Sequence, residues 1–147
     1  LVPGSRAMLE DLRARGLSLY LASGTDEVHL KQEADLLDVT RYFDGGVYGA
    51  LPDPEAFSKR MLIERVLKLP DMRPDRLLGF GDGPVEIEEL KRARALAVGP
   101  ATDEPECRVT SEWKRRNLIA AGADFIIPNY LCRQVLLPML FTNYEPL

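Results

Sequence analysis

Short apolar runs separated by segments of helical periodicity set the pattern of this chain. Met8, Leu9 and Leu12 fall on one helical face after Ser5, which can cap that helix, and Gly16 stands where a glycine ends one. "LSLYLA" (17–22) follows as a strand that stops at Ser23-Gly24-Thr25. Asp26 and Glu27 then open a second helix through Val28, Leu30, Ala34 and Leu37, their charges suiting the positive end of its dipole. "GGVYGA" (45–50) is a short strand, and Pro52 and Pro54 break the chain before a helix carrying Phe57, Met61, Ile63, Val66 and Leu67. "RLLGF" (76–80), "ALAVG" (95–99) and "DFIIP" (124–128) read as three more strands, and an amphipathic helix covers 113–121. Strands that are apolar throughout and alternate with helices imply a parallel sheet covered on both faces. Ligands of such sheets bind beyond the carboxyl ends of the strands. Attention therefore goes to the residues after Ala22, Phe80 and Gly99.

Length adds one constraint: 147 residues with no repeat and no low-complexity tract read as a single domain, 1–147. A formal net charge of −4, from 19 basic and 23 acidic residues, is opposed to a nucleic-acid footprint. No apolar run is long enough for a membrane span, and no secretory leader is visible. Cys107 and Cys132 have no metal or redox spacing, which favours a reduced, cytoplasmic chain. The opening Leu1–Ser5 reads as a native lead into the first helix.

Four positions carry candidate chemistry. Asp82 stands at the end of an apolar strand between Gly81 and Gly83; Pro84 suits a first helical position, so Glu86 falls in the first turn, four residues on. Two converging carboxylates suit a hard cation such as Mg²⁺, which takes oxygen ligands and keeps waters. They equally suit a helix cap and its dipole partner. Ser23 with Gly24 offers a hydroxyl and a backbone N–H for an anion, although Ser23 or Thr25 capping a helix is the commoner use. Lys59 sits beside Arg60 near a helix start, where cations are locally unfavourable, and a locally broken rule is a mark of function. A solvated lysine is the alternative. His29 reads as a solvated helix residue, and the glycines around Phe80 fail the dinucleotide-loop spacing because position 84 is proline.

The order of these features resembles the haloacid dehalogenase (HAD) superfamily of Mg²⁺-dependent phosphotransferases, and within it the phosphoglycolate-phosphatase-like members. "LYLASGT" looks like its second motif, Lys59 like its third, and "LLGFGDGPVE" like its fourth in a variant ending in Glu; the resemblance covers at least Pro3–Pro128. It implies a Rossmann-like α/β fold and a phosphatase acting on a small phosphomonoester through an aspartyl-phosphate. It also implies that Ser23 and the Gly24 amide hold the phosphoryl group, that Lys59 neutralises its charge, and that Asp82 and Glu86 bind Mg²⁺. A small phosphorylated metabolite, by default a sugar phosphate, is the implied partner.

One departure matters. The family's first motif, Asp-x-Asp, carries the aspartate nucleophile, and no Asp-x-Asp occurs in these 147 residues. Family sheets place that strand between the 17–22 and 76–80 strands. The expectation is a carboxyl-terminal portion of a HAD-like core without a cap domain, inactive alone. Its central strand is missing, and two unpaired edges invite homodimerisation or pairing with an upstream segment. The competing expectation is a non-catalytic binding or assembly module on the same scaffold. A receiver-like signalling domain fits poorly, because its acids, hydroxyl and lysine come in another order.

Overall fold

A computed structural model describes residues 1–104 and 106–141. The helices are α1 (Ser5–Ala14), α2 (Glu27–Leu36), α3 (Lys59–Leu67), α4 (Pro84–Arg92), α5 (Glu112–Ala120) and α6 (Arg133–Phe141). The strands are β1 (Tyr20–Asp26), β2 (Gly46–Ala50), β3 (Leu78–Phe80), β4 (Leu96–Pro100) and β5 (Phe125–Ile127). Every ladder between them is parallel, as the apolar runs imply.

The strands form two sheets. β1 pairs with β2, and β3, β4 and β5 pair in that order, while no ladder among the described residues joins β1 to β3. Within that set both strands keep an unpaired edge.

Burial explains the layers. Successive strand residues point to opposite faces, and Ala97 and Val98 of β4 are both fully buried. Val98 joins Met8 and Leu12 of α1 and Leu136, Leu137 and Leu140 of α6. Ala97 joins Ile87 and Leu90 of α4 and Leu118 of α5. The second face is made of small residues so that helices can approach: a Cβ on Gly99 would lie 3.0 Å from the Leu118 Cδ1, and one on Gly79 would overlap the end of Leu90. A third cluster, Ala34, Val39 and Tyr42, closes over β1 with Leu9, Leu19 and Leu21 against it. Helix α1 thus serves both sheets, with Met8 and Leu12 on one and Leu9 on the other.

Three boundaries and one whole element differ from expectation. Phe57 lies outside α3, because Ser58 caps the helix and Lys59 begins it. β1 does not stop at Ala22; it continues through Ser23-Gly24-Thr25 to Asp26, with an irregularity in its pairing to β2 between Ala22 and Asp26. Ser5 does not cap α1. Gly4 does (φ 82°), and the Ser5 hydroxyl donates back to the Val2 carbonyl at 2.5 Å. α6 has no counterpart in the sequence reading, because Pro138 inside it argues against a helix. Its buried leucines and the Arg133–Asp11 ion pair at 2.8 Å hold it to α1 regardless. No helix among the described residues is long and apolar enough to cross a membrane.

Candidate active site

Asp82 leaves the sheet where its pairing ends. The Gly81 amide donates to the Val98 carbonyl at 3.1 Å, prolonging the β3–β4 ladder by one bond before the chain turns. The next helix, α4, has Gly83 as its N-cap with no side-chain cap bond, and Pro84 at its first position. Asp82 is therefore not a helix cap. Its carboxylate is exposed and makes no hydrogen bond or salt bridge among the described residues.

Glu86 lies in the first turn of α4, folded back over the glycines: a Cβ on Gly81 would come within 2.6 Å of the Glu86 Cβ, and one on Gly83 would overlap Oε2. Glycine is needed at position 81 for this close approach, whereas at Gly83 only the mobile end of the Glu86 side chain stands in the way. Oε1 accepts from the Lys59 ammonium. Burial pushes the Glu86 carboxyl up, but the Lys59 bond, the Glu86 amide and the Lys59 charge outweigh it and leave it below its ordinary 4.5.

Lys59 is the first residue of α3, whose cap is Ser58, the hydroxyl of which accepts from the Met61 amide at 3.2 Å. A lysine there opposes the helix dipole. The pairing with Glu86 offsets that, and Glu86 itself sits at the favourable end of α4. With side chains only 29% and 26% exposed, this is not a free surface pair. A solvated Lys59 is excluded.

Ser23 is half-buried within β1, and its Oγ accepts from the Thr25 amide at 3.1 Å. The cap of α2 is Asp26, whose Oδ1 accepts from the Val28 and His29 amides at 3.0 and 3.3 Å. Neither Ser23 nor Thr25 caps a helix. Gly24 is exposed, with open space where a Cβ would point. His29 is exposed on α2, with Nδ1 3.7 Å from Asp26 Oδ1, as a solvated residue should be.

The structure thus joins Lys59 to Glu86 and sets Asp82 just ahead of them. Ser23 and Gly24 lie on the other sheet, which α3 links to α4 by packing against both β1 and α4. Among the described residues no three potential metal-ligating side chains converge. Mg²⁺ needs only one or two carboxylates beside water and substrate oxygens. Asp82 is free to provide one, and Glu86 keeps Oε2 unclaimed by Lys59, so the donor set fits.

Sequence reasoning missed the neighbours of Asp82. The Tyr130 phenol is pushed up to about 12, by burial first, then by the negative charges of Asp82 and Cys132, and its ring meets Phe80 edge-on at 5.8 Å. Thr102 and Lys114 share a small cavity with Asp82. The signal was available: both Thr102 and Tyr130 follow carboxyl ends of strands, β4 and β5.

Comparison with known proteins bears on the family and the fold. The family model of haloacid dehalogenase-like hydrolases matches residues 1–94. A phosphorylated carbohydrates phosphatase of Thermotoga maritima is 29% identical over 96 residues, which are 62% of this chain and 42% of that one. A haloacid dehalogenase-like protein of unknown function from Agrobacterium tumefaciens superposes with a TM-score of 0.73 at 16% identity, covering 95% of this chain and 60% of that one. A β-phosphoglucomutase from Clostridium difficile gives a TM-score of 0.67 at 15% identity, covering 98% and 57%. The chain therefore spans less than half the length of the phosphatase and about three fifths of the solved structures. On the match over residues 1–94, the chain belongs to the haloacid dehalogenase-like hydrolases.

Proposed function

We propose that this chain supplies most of the core of a Mg²⁺-dependent phosphatase or phosphotransferase acting on a small phosphomonoester, with a sugar phosphate as the default substrate. The observation that carries the reading is the Lys59–Glu86 pair, with Glu86 folded closely over Gly81, which the chain flanks with Phe80 and the exposed Asp82. In this reading the Ser23 hydroxyl and Gly24 amide hold the phosphoryl oxygens. The Lys59 ammonium balances their charge, and Glu86 Oε1 keeps that ammonium oriented. Asp82, with Glu86 Oε2 directly or through water, would hold Mg²⁺, which when bound offsets negative charge on the transferring group. Phosphoryl transfer is mainly positioning and charge stabilisation, so few side chains are required.

The nucleophile is the part these residues do not contain. An aspartate from beyond the 147 residues would attack phosphorus, release the alcohol and form an aspartyl-phosphate that water then hydrolyses. In this reading its strand would pair with β1 and β3, each of which keeps one edge without a ladder among the described residues. A second copy pairing there is the alternative. The named resemblance to a carbohydrate phosphatase supports the substrate class.

The test uses the purified chain. It is expected to bind Mg²⁺ in calorimetry, to lose that binding in Asp82→Asn, and to release no phosphate from p-nitrophenyl phosphate. Steady turnover abolished by Asp82→Asn would overturn the inactivity of the chain; Mg²⁺ binding untouched by Asp82→Asn would overturn the metal assignment.

A further inference from the structure

The residues of the proposed site are divided between two sheets. Ser23 and Gly24 belong to β1, whereas Asp82 and Glu86 follow β3. In the function proposed above Lys59 serves both groups, and its ammonium is tied to Glu86 of the second. The connection that leads into α3 gives its start little support. Of residues 51–58, between the end of β2 and the first residue of α3, all but Phe57 are exposed. The Glu55 and Ala56 amides donate to Asp53 at 3.0 Å, bonds that stay within the loop itself.

Phe57 ties this loop to the first sheet. Tyr48 of β2 pairs with Ala22 of β1, one residue short of Ser23. Its ring is set by its own strand: the hydroxyl donates to the Gly45 carbonyl at 2.8 Å, and a Cβ on Gly46 would come within 2.9 Å of that hydroxyl. The Phe57 ring stacks on it with centroids 6.0 Å apart and 15° between the planes, within the range of an offset pair. The Arg65 guanidinium lies 5.0 Å from the centre of the same Tyr48 ring, close enough for a cation–π contact. Phe57 precedes Lys59 in the chain and Arg65 follows it, so one tyrosine holds the backbone on either side of the lysine. Ser58, the cap of α3, follows Phe57 directly, and the stack therefore fixes the point from which the helix starts.

We propose that Phe57, seated on Tyr48, is a positioning residue that fixes the start of α3 on the β1–β2 sheet and so sets where the Lys59 ammonium meets Glu86. The placement stands on the ring contacts and on the exposure of the rest of the loop. Its use for a phosphoryl group held at Ser23 rests on the function proposed above.

The experiment is a double-mutant cycle of Lys59→Met, Glu86→Gln and their combination, read by urea unfolding at pH 7. It is run in the wild-type chain and in Phe57→Ala, Phe57→Tyr and Tyr48→Leu backgrounds. A stack that only added stability would lower every midpoint of a background alike and leave the coupling between Lys59 and Glu86 unchanged. Positioning predicts a coupling of roughly 0.5–1 M of midpoint in the wild type, kept in Phe57→Tyr and cut by about half or more in Phe57→Ala and Tyr48→Leu. Phe57→Leu takes the place of Phe57→Ala, and Tyr48→Met that of Tyr48→Leu, should either not fold. A wild type without coupling, or a Phe57→Ala chain that keeps it, overturns the proposal. Loss in Phe57→Ala with none in Tyr48→Leu overturns the part given to Tyr48. The coupling is read without Mg²⁺ or substrate, so it stands or fails independently of the phosphatase reading.

Discussion

The Lys59–Glu86 pair makes a quantitative prediction. At a charge separation of about 4 Å and an effective dielectric near 20, the attraction is about 4 kcal/mol. Burial of the carboxylate opposes it, and ordering the long lysine costs up to about 2 kcal/mol. With side-chain exposures of 29% and 26%, solvent screens the pair less than a surface bridge worth about 0–1 kcal/mol. A coupling of about 1–2 kcal/mol remains. The assay is a double-mutant cycle of Lys59→Met, Glu86→Gln and their combination, read by urea unfolding at pH 7, where a slope of about 2 kcal/mol/M turns the coupling into roughly 0.5–1 M of midpoint. The sign with pH follows from the depressed Glu86 value. The stabilisation is complete above the ordinary 4.5 and disappears as pH falls through the lower folded value. The cycle should therefore retain its coupling at pH 7 and lose it well below the carboxylate range. A coupling under about 0.5 kcal/mol at pH 7, within the scatter of additive mutations, or one that persists in acid, would refute the reasoning.

Three further outcomes are expected. At Gly4, φ is 82° and an added Cβ would lie 2.5 Å from the Tyr130 carbonyl carbon. Strain and overlap together should make Gly4→Ala cost about 2–4 kcal/mol. At Gly16, φ is 79° and an added Cβ would have nothing within 4 Å. Gly16→Ala should therefore cost only the strain, about 1–2 kcal/mol. Equal losses in thermal melts would discard the close-approach argument. Ile87→Ala should lose about 2–5 kcal/mol by leaving a cavity between α4 and α5. Exposed Val85→Ala should change chemical stability by less than about 0.5 kcal/mol. Tyr130→Phe should remove an alkaline drop in stability. The raised phenol value leaves stability intact below its ordinary 10.0 and lost between there and about 12. At about 1.4 kcal/mol per pH unit, the loss reaches about 2.7 kcal/mol. A wild type and variant with parallel profiles there would show that Tyr130 ionises normally.

Much of the fold and part of the site could be read from residue order. Apolar runs such as Leu96–Val98 announced a strand buried on both faces, and Gly16 and Gly122, with φ of 79° and 101°, end their helices as expected. Local pattern misled at Ser23, because the Ala22–Asp26 irregularity lets β1 run on past its apolar part and hands the cap to Asp26. Pro138 hid α6, whose leucines are fixed by contacts with α1, β4 and β5 that no local window contains. Lys59 and Glu86 are remote in sequence, so their pairing leaves no short-range trace. Lys59 still betrayed itself by standing at the wrong end of a helix.

The double allegiance of α1 has a mechanical consequence. With no ladder between β1 and β3 among the described residues, the packing of Met8 and Leu12 on one side and Leu9 on the other makes this helix a splint across the split. Loosening its apolar face would therefore weaken both sheets at once, although no backbone ladder among the described residues ties one to the other.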